Sequence, residues 1–138
     1  MHRAPVNFAQ KFGLFTEQWQ PKVIAEMNDY QFKIVRLQGD FVWHSHADTD
    51  EAFLVIKGTL RIDFRDGAVT LNPGELYVVP KGLEHKPFAE REVKLLLIEP
   101  RDVRRDARRG REIEAVELEI GRAIIDREAL NRAVAATE

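Results

Sequence analysis

Between Tyr30 and Pro100 the apolar positions fall in short alternating runs closed by turn residues, the pattern of half-buried strands rather than helices. It predicts strands over Phe32–Gln38, Phe41–His46, Ala52–Ile56, Leu60–Phe64, Ala68–Leu71, Leu76–Val79 and Glu92–Ile98. The breaks are Gly39, Asp48 to Asp50, Lys57-Gly58, Asp66-Gly67, Asn72-Pro73-Gly74 and Pro80-Lys81-Gly82. Connections this short leave no room for crossover helices, so neighbouring strands should pair antiparallel. Asp66-Gly67 has the form of a tight hairpin turn. In Asn72-Pro73-Gly74 the proline presets one turn dihedral and the glycine supplies positive φ. The expected class is all-β.

Outside this stretch the pattern changes. Residues 1–29 include Phe12, Phe15, Trp19 and Ile24, apolar enough for an N-terminal extension that packs on the barrel of residues 30–100 or on a partner subunit. Residues 101–138 open with six arginines mixed with acids over Arg101 to Glu112, a solvated linker or short helix in preference to a phosphate-binding patch. Val116, Leu118 and Ile120 then alternate with Glu117 and Glu119 as a strand would. Asp126 is placed to cap a short helix running to about Ala136, with Leu130 and Val134 on one face.

Composition narrows the function. At 138 residues the chain fits one domain with one modest core. A formal charge of −2 gives no basic field to draw it onto nucleic acid, so the expected partner is a small molecule. No apolar run approaches membrane-spanning length, and the first twenty residues lack the apolar stretch of a signal peptide, which points to the cytoplasm. There is no cysteine, so disulfides, thiolate ligands and cysteine nucleophiles are excluded. A metal site must be built from histidine and carboxylate.

Four residues stand out on that basis. His44 and His46 are two apart on a predicted strand and so share a face, with Cα atoms about 6.5 to 7 Å apart, close enough for both imidazoles to turn to one ion. After the polar bend Ala47-Asp48-Thr49-Asp50, Glu51 opens the next apolar run. Asp50 is its rival as a carboxylate ligand; alternation sets Glu51 on the same face as Phe53 and Val55, which reads as interior. His85 follows the sharp turn Pro80-Lys81-Gly82, which can swing an imidazole back across a barrel mouth. Singly, each is as readily a surface or hydrogen-bonded residue.

Together they resemble the two signature motifs of the cupin superfamily. The first appears as His44-x-His46, four residues, Glu51, six residues, Gly58. The second appears as Gly74, five residues, Pro80-x-Gly82, two residues, His85. Two positions depart: Gly39 stands four residues before His44 rather than five, and Ala89 stands where the pattern ends in Asn. Neither is a ligand position in the family. The resemblance implies a single-domain jelly-roll β-barrel, to which the pattern from Asp126 onward adds a short C-terminal helix. It also implies a divalent ion held by His44, His46, Glu51 and His85, with Fe, Mn, Zn, Ni and Cu all open.

Further expectations follow from alternation. Val42, Phe53 and Val55 should face inward with the ligands, and Tyr77 is a candidate proton donor near the site. Phe41 and Trp43 should point away from it and need cover, either from the N-terminal segment or from another subunit, and a homodimer is expected. Three activities suit the ligand set: an iron-dependent dioxygenase-type enzyme acting on a small organic substrate, a sugar or sugar-phosphate isomerase or epimerase, and a non-catalytic small-ligand binding module.

Overall fold

Seven strands and one short helix make up residues 3–101, the part of the chain that the computed structural model describes. They are α1 (Phe8–Phe12), β1 (Lys22–Met27), β2 (Tyr30–Asp40), β3 (Glu51–Lys57), β4 (Leu60–Phe64), β5 (Gly67–Leu71), β6 (Leu76–Val79) and β7 (His85–Pro100). All pairings between these strands are antiparallel, as the short connections require. The sheet runs β1-β2-β7-β3-β6, and β4 joins β5 to β7. No helix among the described residues is long and apolar enough to cross a membrane. The Arg-rich stretch after Arg101, the strand expected at Val116–Ile120 and the helix expected from Asp126 lie outside the described residues.

The longest strand holds the fold together. The second half of β7 lies between β2 and β3, pairing Leu95 with both Val35 and Val55, while its first half pairs with β4, His85 opposite Phe64. Because side chains alternate, Val35, Leu37, Phe53, Val55, Val93, Leu95 and Leu97 turn to one buried core, joined there by Leu60 and Ile62. Ile34 and Leu96 turn the other way and are covered by Phe12 of α1. Strands buried on both faces read as nearly continuous apolar runs, which is why Leu95-Leu96-Leu97-Ile98 shows no alternation.

Arg36 fastens the N-terminal segment to this sheet. Its guanidinium donates to the carbonyls of Phe12 (2.8 Å) and Phe15 (3.0 Å) and pairs with Glu92 at 3.1 Å. Its own carbonyl accepts the Trp19 N–H at 2.7 Å.

One expected strand is absent. Phe41–His46 forms no regular ladder: the Phe41 N–H donates to Pro87, His44 and His85 exchange both backbone bonds at 3.0 and 2.9 Å, and His46 accepts from the Gly82 N–H. From Phe41 to His44 is three steps, while from Pro87 to His85 is two, so one residue is unpaired and the parity of the segment reverses, as at a β-bulge. Phe41 therefore turns inward, against the expectation drawn from strict alternation, and is 5% exposed. Conversely, β7 begins seven residues before the expected strand. Pro87 within that run argues against a strand, yet it is accommodated between Ile62 of β4 and the bulge.

Candidate metal centre

Three elements deliver the site. The loop after β2 supplies His44 and His46, the first residue of β3 supplies Glu51, and the first residue of β7 supplies His85. Side-chain alternation in β3 buries Glu51, Phe53 and Val55 together. Asp50 faces solvent, where its carboxylate accepts the Lys81 N–H at 2.8 Å. That bond ties the Asp50 bend to the turn before His85, so the rival carboxylate acts as a brace between the two motifs.

The geometry converges on one point. Ligand atoms of His44, His46 and His85 all lie within 4.8 Å of one another. The Oε1 of Glu51 is 3.3 Å from His46 Nε2 and 3.8 Å from His85 Nε2. Donors sharing an ion at bond lengths of about 2.0 to 2.2 Å lie at most about 4.4 Å apart, so a shift of a few tenths of an ångström closes the set.

The protonation of the cluster suits a cation. The Nδ1 of His44 lies 2.9 Å from the Val42 carbonyl, and that of His85 lies 2.8 Å from the Leu83 carbonyl. A carbonyl only accepts, so each Nδ1 carries a proton, and in the neutral ring that leaves Nε2 with its lone pair for the cluster. Burial, then the nearby His85 and His46, pushes His44 well below the usual histidine range, so it is neutral at pH 7. Burial works against ionisation of Glu51, but the neighbouring His46 and His85 imidazoles outweigh it and hold the carboxyl well below its usual range.

Two buried polar atoms of this cluster, Glu51 Oε1 and His85 Nε2, have no hydrogen-bond partner. His85 is fully buried and Glu51 is 6% exposed, and stranding such groups is costly. A divalent ion supplies what both lack. The donor set therefore fits a metal on an observation of the fold itself.

The pocket over the cluster is otherwise apolar, lined by Trp19, Pro21, Val35, Leu37, Phe41, Phe53, Pro87, Leu95 and Leu97, with about 50 Å³ of free space. Trp19 stacks on Phe41 at 4.7 Å, and Phe41 meets His44 edge-on at 5.1 Å. The sequence pattern missed Trp19, Pro21 and Phe41 as pocket residues, and nothing in their spacing signals the bulge that brings them in. Trp43 lies beneath the Arg65 guanidinium, 3.8 Å from its ring centre. Tyr77, opposite Phe53 on β6, packs its ring 5.8 Å from Phe64 and is not among the residues lining the pocket.

Comparison with known proteins agrees with this architecture. Residues 33–99 match the family described as Cupin domain. The chain is 62% identical to a cupin-2 domain containing protein from Shewanella frigidimarina NCIMB 400, covering 70% of this chain and 94% of that one with a TM-score of 0.69. It is 38% identical over 64 residues to the uncharacterized protein YdbB of Bacillus subtilis (strain 168), which is 46% of this chain and 57% of YdbB. This chain thus matches a little over half the length of that curated relative. The fold is also that of the hydroquinone 1,2-dioxygenase PnpCD, solved with Cd2+ and 4-hydroxybenzonitrile, at 17% identity and a TM-score of 0.59 over 70% of this chain and 72% of that one. With His44, His46 and His85 gathered together in an antiparallel β fold and such identity across nearly all of a cupin-2 domain protein, this chain belongs to the cupin superfamily.

Proposed function

We propose that His44, His46, Glu51 and His85 hold one divalent ion, most simply iron(II), and that the protein carries out oxygen-dependent chemistry on a small organic substrate. The observation that carries this reading is the pair of stranded atoms, Glu51 Oε1 and His85 Nε2, beside imidazoles whose Nδ1 protons are already committed to backbone carbonyls. When bound, such an ion offers open positions to oxygen and to an oxygen-donor substrate. The chain's own part is positional. The Val42 and Leu83 carbonyls fix the ring orientation of His44 and His85, and Phe53, Leu95 and Leu97 give the pocket beside the centre an apolar wall.

The fold likeness to a hydroquinone dioxygenase is consistent with this chemistry and adds no substrate. Isomerisation needs a positioned base beside the site. Among the described residues, Glu51 is the only carboxylate lining the pocket, and this reading commits it to the metal. The test is oxygen uptake by protein loaded anaerobically with iron(II), across a panel of small organic acids and phenols. Uptake that needs both iron and substrate, and disappears in His46→Ala, supports the proposal; a fully loaded protein that turns over nothing in the panel contradicts it.

We also propose a homodimer, now on different grounds. Phe41 is inside and Trp43 is covered by Arg65, so neither calls for a partner. The outer face of the sheet does: Leu54, Ile56 and Ile98 are only partly covered, and beside them Leu76 and Val78 are 57% and 47% exposed. Sedimentation giving twice the chain mass at micromolar concentration is expected; a monomer there contradicts it.

A further inference from the structure

We infer that Trp19 is a specificity-determining residue that caps the size of ligand reaching the metal pocket, admitting small oxygen-donor acids and excluding aromatic rings. The inference rests on the metal reading above and deepens it by choosing between substrate classes.

Trp19 comes from outside the barrel motifs, yet it is 4% exposed and forms part of the pocket wall with Pro21 and Phe41. Its backbone has φ of 62°, a left-handed conformation that bulky L-residues rarely adopt and that persists only where surroundings over-determine it. Three contacts do so here. The Trp19 N–H donates to the Arg36 carbonyl at 2.7 Å, the indole Nε1–H donates to the Gln38 carbonyl at 3.1 Å, and the ring lies nearly parallel to Phe41, 11° from coplanar at 4.7 Å. The indole is thereby held as a fixed plate behind Phe41, whose edge meets His44.

The free space left is about 50 Å³. A single water needs about 10 to 15 Å³ of such space, whereas a dry cavity known to take benzene measures about 150 Å³. With the indole in place the pocket has room for an ion and a ligand of a few heavy atoms. A ring does not fit. Removing the indole opens the space behind Phe41 to something flat and apolar.

The test has two arms on the full-length chain. In the first, metal-free wild type and Trp19→Ala are titrated with phenol by calorimetry; the wild type is expected to show no binding and the variant to bind. In the second, cobalt(II)-loaded proteins are titrated with azide and with catechol while the visible bands are followed. Azide should shift the bands of both proteins alike, and catechol should bind the variant at least about tenfold more tightly than the wild type. Should Trp19→Ala not fold, Trp19→Phe keeps the stack on Phe41, drops the indole, and is expected to admit phenol more weakly. Phenol or catechol binding the wild type as tightly as the variants overturns the inference, as does their exclusion by every folded variant. If neither protein develops cobalt bands, the metal reading fails while the phenol arm still decides the role of Trp19.

Discussion

Gly58 shows how a motif glycine is enforced by its surroundings. Its φ is +91°, and a Cβ there would lie 2.8 Å from the Glu92 carbonyl oxygen and 3.2 Å from Val93. Backbone cannot retreat as a side-chain tip does, so Gly58→Ala combines left-handed strain with overpacking and is expected to cost about 2 to 4 kcal/mol. Gly74 has φ of +86° but nothing within 4 Å of such a Cβ, so Gly74→Ala should cost only about 1 to 2 kcal/mol. Urea unfolding of the two variants checks the difference; equal losses would mean that the contact with Glu92 is relieved by movement. The placement of Glu51, one of the proposed ligands, was similarly legible, because strict alternation holds through β3 and buries Glu51 while leaving Asp50 outside. Phe41 was not legible, because one unpaired residue before His44 reverses the alternation on which its assignment depends.

At the scale of elements, local patterning located β4, β5 and β6 to within a residue, since Asp66-Gly67 and Asn72-Pro73-Gly74 fix their ends. It did less well where distant contacts decide. The N-terminal segment is pinned by Arg36 and Glu92, residues that lie far along the chain and look like ordinary exposed charges in the sequence. This clamp has a pH signature. Burial works against ionisation of Glu92, but hydrogen bonds from Gln18 and Arg36 outweigh it and hold the carboxyl below its usual 4.5. A carboxyl depressed in the folded state contributes stability that is present above 4.5 and is lost as pH falls below that value through the depressed one. Acidification across that window should loosen the segment carrying Gln18 and Trp19, and Glu92→Gln should flatten this part of the pH dependence. Hydrogen exchange of the Trp19 amide at pH 6 and pH 4 checks it; protection equally pH-independent in both proteins would remove the clamp from the account.

For the whole molecule, the fold buries the polar cluster of His44, Glu51 and His85 beside its apolar core. β7 runs between β2 and β3 and onward to β4, so its first residue, His85, arrives beside the loop carrying His44 and His46. Class and architecture were legible because turn spacing and the two motifs agree. The bulge, the covering role of α1 and the indole behind Phe41 were not, because each is set by packing between segments far apart in sequence. The most direct test of the central claim is an anomalous difference map from crystals of the purified protein, with data on both sides of the absorption edge of the ion found. One peak is expected, about 2.0 to 2.2 Å from the Nε2 atoms of His44, His46 and His85 and from a Glu51 carboxylate oxygen. A map without a peak there from crystals soaked in excess metal, or with Asp50 in place of Glu51 in the coordination shell, would contradict it.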